Sequence, residues 1–509
     1  MKFFLSIFLF VISVHFSKAQ TIELSRNFIN TKYAAQNINS QTDTFHVFFQ
    51  NPLLQDLKIT VPYPFQISLD GVNFNDTLFV LKTQNNIQHQ IKIRFQSNQS
   101  NIVYHEFMSF FIGNTNLSDR IYLLAATIED TKSIRMATWN MKWFGLPSQC
   151  GCDTALAKQQ ALQVFKMLDA DIYFMQEVVS IEQFNFLLQQ LGSNYDGVLS
   201  PYCSQISNTS LPGYQTCQKL GFIFKKSKIE NVASFGMFQS TYPTFSNSTS
   251  PYWCFSSGRF PFAMKAKVKN NINNDTLLMV NMHAKAYDAI DDYNRRACGA
   301  MHLIDTFNTQ YSSSKVALMG DYNDLIEGSI VTGLTTSPYN DLFFHDFTGI
   351  TKPSLFFGQN TYLGSAGGII DNLLVSNELN VDIIPNSTFI FKEATAVISN
   401  FKYTSSDHLP VMTYLKSDIS NTVFYEPIQK ENKFVSLQNP SSSYLNLVFN
   451  DVIKNDIEIE IFDLNGRKVF SKSFITKAYL NIETNLKPGF YFLKIKNENN
   501  MNSFKLLIN

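Results

Sequence analysis

The chain has 509 residues, 45% of them hydrophobic and 16% charged, which is too long for one ordinary domain and apolar enough for several cores. Lys plus Arg and Asp plus Glu balance at 41 each, which excludes a global basic field as the means of holding a polyanion. Any nucleic-acid contact must therefore come from a local patch.

The N-terminus opens with Lys2, continues through the apolar run Phe3 to Ser13, and closes on Ser17-Lys18-Ala19, the pattern of a signal peptide (residues 1–19) cleaved after Ala19. A membrane span needs about 20 apolar residues, and His15 and Lys18 interrupt this run. No later segment is apolar enough to span, so the mature protein is expected to be exported, without a stable membrane span, and monomeric. All six cysteines (Cys150, Cys152, Cys203, Cys217, Cys254, Cys298) lie mid-chain, and an even count in an exported protein favours disulfides. Cys203 and Cys217 bracket a polar segment with Pro212 and Gly213, which suggests a loop-closing bridge; no Cys-x-x-Cys spacing supports a metal instead.

Residues 20–131 alternate short strand-like runs with turn signals, among them Phe45–Phe49, Leu57–Val61, Gln90–Phe95 and Ile121–Ala126, which predicts a β-sandwich. The stretch Val61-Pro62-Tyr63-Pro64-Phe65 through Asp70-Gly71 resembles an immunoglobulin-like accessory module of secreted proteins in Bacteroidetes-type bacteria.

Over residues 132–417 strands interleave with helical periods. Ile134–Trp139 reads as a strand, Thr154–Leu168 as an amphipathic helix, Ile172–Met175 as the next strand and Ile181–Leu191 as the next helix. This alternation predicts a layered α/β unit. A polar linker, residues 418–434, leads to a β-rich segment, 435–509, with runs at Leu445–Phe449, Ile457–Phe462 and Phe490–Ile495 and turns at Asn465-Gly466 and Pro488-Gly489. Its frame, Asn439-Pro440, then Ile461-Phe462-Asp463-Leu464-Asn465-Gly466, then Leu486-Lys487-Pro488-Gly489-Phe490-Tyr491, closely resembles the C-terminal sorting domain of type IX secretion substrates. That resemblance implies handling by outer-membrane secretion machinery and release or anchoring at the surface.

The middle unit carries a series of polar groups where apolar runs end or break: Asn140 after Trp139, Glu177 after Gln176, Arg259, His283 after Asn281-Met282, Asp321 and Asn323 in Gly320-Asp321-Tyr322-Asn323-Asp324, Asp371 before Asn372, and Asp407-His408 before Leu409-Pro410. Each alone has a structural explanation: a turn cap, a helix start, a hydrogen-bonded core histidine. Together they fit one site, because a sheet gathers such ends on one edge and ligands bind there. Carboxylates suit a hard cation and water activation, while amide, imidazole and guanidinium groups suit phosphoryl oxygens.

In this order the motifs resemble the endonuclease/exonuclease/phosphatase family, which includes deoxyribonuclease I, abasic-site endonucleases, sphingomyelinases and inositol-phosphate phosphatases, over about Ser133 to Leu415. The resemblance implies a four-layer α/β/β/α sandwich, flanked here by the two β-sandwiches, with Mg²⁺, or Mn²⁺ or Ca²⁺ in its place, at the sheet edge. It implies Glu177, Asn140 and Asp407 at the metal, Asp321 orienting or deprotonating water, and Asn323 donating to the phosphoryl group. His408 becomes a base or phosphate donor oriented by Asp371, His283 a second phosphate contact, and Arg259 a bidentate one. The chain departs from the family where a Glu should support His283, offering Gln218 or Lys219. In the turn set by Ser406 and Pro410, Asp407 and His408 can face one pocket, which neighbours in a strand cannot.

For the substrate, Lys225, Lys226 and Lys228, then Lys265, Lys267 and Lys269, and Arg295-Arg296 offer phosphate contacts or ordinary solvated faces. Phe238, Tyr242, Phe245, Tyr252 and Trp253 could stack on bases, enter a lipid interface or pack over the core, packing being favoured. The sequence thus points to a secreted Mg²⁺-dependent phosphodiesterase, a sequence-nonspecific nuclease first, a sphingomyelinase-like enzyme second, a non-catalytic surface-binding protein third.

Overall fold

The computed structural model describes residues 22–508 except 50–53, 83–87, 242–248, 270–275, 345–346, 357, 366, 419–434, 438–443, 450–455, 464–466, 475–478 and 498–500. The expected signal peptide, linker, Tyr242, Phe245, the Asn439-Pro440 pair and the Asn465-Gly466 turn lie outside the described residues. The chain forms two compact units, residues 1–421 and 422–509.

In the first unit, nine strands among the described residues between Ile22 and Ala126 build a β-sandwich of a four-stranded and a five-stranded sheet. Its core is the inward set of alternating residues, such as Phe45, Val47, Ile91, Ile93, Met108, Phe110, Ile121 and Leu123. Leu124, Ala126 and Ile128 point the other way and join a cluster with Ala161, Phe165 and Leu168, so the sandwich and the following α/β unit share a core.

The α/β unit holds two six-stranded sheets. The first runs Tyr195–Leu199, Lys219–Lys225, Ile172–Val178, Ser133–Phe144, Val411–Lys416, Phe389–Ile390; the second Ile229–Gly236, Phe262–Val268, Thr276–His283, Lys315–Asp321, Asp371–Ser376, Phe347–Gly349. Side chains alternate between two apolar environments, as strands buried on both faces require. Ile134, Met136, Ile172 and Phe174 meet Leu277, Met279, Ala317 and Met319 between the sheets. Trp139, Tyr173 and Met175 face outward onto the Thr154–Leu168 helix, while Leu278, Val280 and Leu318 face outward under the Ile290–Gln310 helix. The fold is therefore the four-layer α/β/β/α sandwich.

The helix Thr154–Leu168 starts where Asp153 caps the amides of Ala155 and Leu156, and Ile181–Leu191 starts where Ser180 caps Gln183. Three disulfides form: Cys203–Cys217 as expected, with Cys150–Cys152 and Cys254–Cys298. In the second unit, a three-stranded and a four-stranded sheet enclose Leu445, Leu447, Ile457, Ile459, Leu493 and Ile495.

Candidate active site

Strand direction brings the polar stations together. Ser133–Phe144 runs parallel to Ile172–Val178, and Thr276–His283 parallel to Lys315–Asp321, so Asn140, Glu177, His283 and Asp321 all lie toward C-terminal ends. The strands beginning at Asp371 and Val411 run antiparallel to these, so their starts reach the same edge. Register aligns His283 with Asp321 and Asp321 with Asp371. At Gly320 a Cβ would fall 1.9 Å from the carbonyl oxygen of Met282, so only glycine lets the Asp321 strand lie this close to its neighbour.

Local irregularity aims the side chains. The ladders on both sides of Ile172–Val178 shift register around Glu177, whose φ of 58° turns its carboxylate toward the edge while Gln176 hydrogen-bonds Asn281 between the sheets. Lys142 and Trp143 follow Asn140 with φ of 48° and 49°, and this bend lets the Trp143 amide donate to Glu177 Oε2 at 2.9 Å. Residues 406–410 are not strand, and both Asp407 and His408 line the cavity. Ser406 Oγ donates to the Asn140 carbonyl and accepts from the His408 amide, while the Trp139 indole donates to the His408 carbonyl.

At the centre, Asn140 Nδ2 donates to Glu177 Oε1 at 3.0 Å and Asp321 Oδ2 at 2.8 Å, bridging two carboxylates, while its Oδ1 accepts from the Lys142 amide. His283 Nε2 stands 3.6 Å from both carboxylates. His408 Nδ1 lies 2.8 Å from Asp371 Oδ2, and its Nε2 4.0 Å from Asp321. Asn323, at a φ of 50°, has its amide on Asp321 Oδ1 and its Nδ2 on the Ala284 carbonyl. Glu177, His283, Asp321, Asn323 and His408 border a cavity of about 740 Å³.

The electrostatics differentiate the three titrating groups. Burial pushes the Asp321 carboxyl up to about 7, with His408 pulling it down and Asp371 pushing it further up. Burial disfavours charge on His408, but Asp371, with Asp321 and Asp407, outweighs it and pushes the imidazole up to about 10. Burial, then Arg259 and His408, hold His283 well below its usual range, so it is neutral.

Arg259 has another disposition than bidentate phosphate binding would need. Its guanidinium donates to the carbonyls of His283 and Ala284, to Gln218 Oε1 and to Ser256 Oγ, four of its five N–H groups. Gln218 thus supports the His283 backbone through Arg259, and Lys219 is buried with its ammonium on the carbonyls of Val179 and Cys217. His283 Nδ1 is buried with no hydrogen-bond partner among the described residues.

Of the basic groups named from sequence, Lys225 and Lys228 lie at the opposite edge on Asp169, Asp171 and Asp130, and Arg296 is buried against Asp324. Arg295 borders the cavity, with Lys142 and Lys285, which sequence spacing did not single out. Tyr252 packs in the core and Phe238 stacks on Phe255, while Trp253 is exposed beneath the Arg295 guanidinium.

The donor set fits a hard divalent cation: Glu177, His283 and Asp321 each offer an atom within 4.8 Å of the others, and the Asp321 carboxyl has no Lys or Arg at salt-bridge distance among the described residues. Asp407 borders the same cavity outside that trio.

Fold and site thus define an α/β/β/α sandwich with an acid–imidazole centre on one sheet edge. Residues 439–509 match the family model of the secretion system C-terminal sorting domain, so the chain is sent to the cell surface or the extracellular space. No helix among the described residues is long and apolar enough to cross a membrane. Comparison with curated protein sequences gives no match. Solved structures similar to about half of the chain include an endonuclease/exonuclease/phosphatase from Bacteroides vulgatus (17% identity, 56% of this chain and 98% of that one, TM-score 0.39). Others are D. rerio TDP2 complexed with single strand DNA product (11%, 55% and 98%, 0.38) and the Bacteroides thetaiotaomicron mannosyl-6-phosphatase Bt3783 (13%, 55% and 98%, 0.36).

Proposed function

We propose that this exported protein is a metal-dependent phosphodiester hydrolase that cleaves extracellular nucleic acid without reading its sequence. The observation that carries the reading is geometric: Asn140 bridges the Glu177 and Asp321 carboxylates beside His283, and His408, held by Asp371, stands across the same cavity.

Glu177 and Asp321 would hold the cation, with Asn140 bridging them and Asp407 within the same cavity. When bound, Mg²⁺ neutralises charge on the phosphoryl oxygens and orients substrate. Asp321, fixed by Asn140 Nδ2 and by the Asn323 amide, orients the attacking water and accepts its proton. His408, kept cationic and oriented by Asp371, donates from Nε2 to a phosphoryl oxygen, which makes it a phosphate donor rather than a base. Asn323 adds a neutral donor from the Asp321 turn, and neutral His283 faces the reacting group from the other strand.

Lys142 and Arg295 around the cavity, with Lys285 paired to Asp292, are the basic groups through which a chain of zero formal charge would meet a polyanion there. The test is purified mature protein with plasmid DNA, RNA and sphingomyelin vesicles, each with Mg²⁺ or chelator. Cleavage of nucleic acid only with metal is expected; lipid cleavage with intact nucleic acid would overturn the substrate, and inertness in every arm the enzyme.

A further inference from the structure

Tyr287 combines three unusual properties at the mouth of the cavity. Its side chain lines the cavity yet is 74% exposed. Its backbone has a φ of 79°, a left-handed conformation that a bulky residue rarely adopts. That conformation is held from beneath: Arg296, 2% exposed, donates Nη1 to the carbonyls of Lys285 and Tyr287 while its Nε and Nη2 grip Asp324 Oδ2.

The segment leaves His283 directly and is tied to the reacting groups. The Ala284 amide donates to the Asp321 carbonyl, and the Ala284 carbonyl accepts from Asn323 and Arg259. Three residues lie between His283 and Tyr287, so their Cα atoms are at most about 14 Å apart. The Lys285 ammonium lies 4.6 Å from the ring centroid, itself anchored 2.8 Å from Asp292. A cation beside the ring leaves room for a planar partner on the other face.

An exposed aromatic that only filled space would need neither a strained backbone nor a buried ion pair beneath it, and strain sustained by its surroundings marks function. We propose that Tyr287 is a stacking platform for the base of a nucleotide next to the scissile phosphate, and so a residue that selects nucleic acid over other phosphodiesters. This rests on the nuclease reading above. A base stacks on an aromatic face whatever its identity, which agrees with cleavage that ignores sequence.

The experiment compares kcat/KM of wild type, Tyr287→Ala and Tyr287→Phe on a single-stranded oligonucleotide and on an equal-length oligomer of abasic tetrahydrofuran phosphates, with Tm recorded for each protein. Tyr287→Ala should lose about 10–100-fold on the base-bearing strand and change less than about 3-fold on the abasic one, with Tyr287→Phe close to wild type on both. An equal loss on both strands, or none on either, overturns the platform and leaves the nuclease standing. A wild-type protein that cleaves neither strand overturns both.

Discussion

The two ends of the central sheets each bury a cluster of charged side chains beside a cavity, about 740 Å³ at the Asp321 end and about 570 Å³ at the Asp171 end, yet the clusters behave oppositely. At the Asp171 end every carboxylate has a cation. Arg135 pairs with Asp130, Asp169 and Asp171, and Lys225 with Asp169 and Asp171. Burial works against Asp169, but Arg135 and Lys225 overcome it and hold its carboxyl down at about 2. At the Asp321 end the buried Arg259 guanidinium binds carbonyls and an amide oxygen, the buried Arg296 is taken up by Asp324, and the Asp321 carboxyl rises to about 7. The charge cluster at the Asp171 end completes itself; the Asp321 end keeps the deficit that the proposed metal and phosphate would fill.

Four experiments bear on that contrast. The largest effect belongs to the deficient end: Asp321→Asn should lower kcat by about 10²–10⁴-fold with an unchanged circular dichroism spectrum, and His408→Ala by about 10²–10³-fold. Near wild-type turnover in either would remove the roles given to them. At the complete end the effect is on stability: Arg135→Met leaves Asp171 buried without its main partner and should cost about 3–5 kcal/mol by denaturant titration. Activity of the folded fraction should be retained; loss of activity without loss of stability would erase the contrast.

Metal should distinguish the ends by mass action. At 100 times its Kd, Mg²⁺ should stabilise wild type by about 2.7 kcal/mol, read as a rise in Tm that Asp321→Asn loses and Arg135→Met keeps. The smallest effect is in pH. Asp169 has a folded pKa below its unfolded value of about 3.9, so it contributes stability above that value which disappears as pH falls toward 2. The difference in unfolding free energy between wild type and Asp169→Asn should therefore shrink by about 2 kcal/mol between pH 5 and 2. A constant difference would mean that the ion pairs do not hold Asp169 charged.

The sequence made the frame legible where signals were local. The 3.6-residue period marked the helices at Thr154–Leu168 and Ile181–Leu191, whose starts the structure shows capped by Asp153 and Ser180, and two-residue alternation marked the strands. The polar stations were visible because an apolar strand ends at each, and the structure brings Asn140, Glu177, His283, Asp321, Asp371 and His408 to one edge. Partner choice was not visible. Lys225 looked like a surface phosphate contact, but its ammonium reaches Asp171, 54 positions earlier, and Arg259 reaches Gln218 across 41. Such pairings depend on how strands stack, which no short window encodes. The same reason hid the Cys254–Cys298 bridge, closed over 44 residues, whereas Cys203–Cys217 spans a single loop.

The core shared by the N-terminal sandwich and the α/β unit has a consequence for dissecting the protein. Leu124, Ala126 and Ile128 roof the outer helix layer, and Phe28 meets Phe391 edge to face at 5.6 Å. A catalytic fragment cut at Ser133 would bare that apolar roof line to water and be prone to self-association. The minimal folded unit is therefore larger than its two six-stranded sheets: the sandwich is the weatherproofing of the outer helix layer.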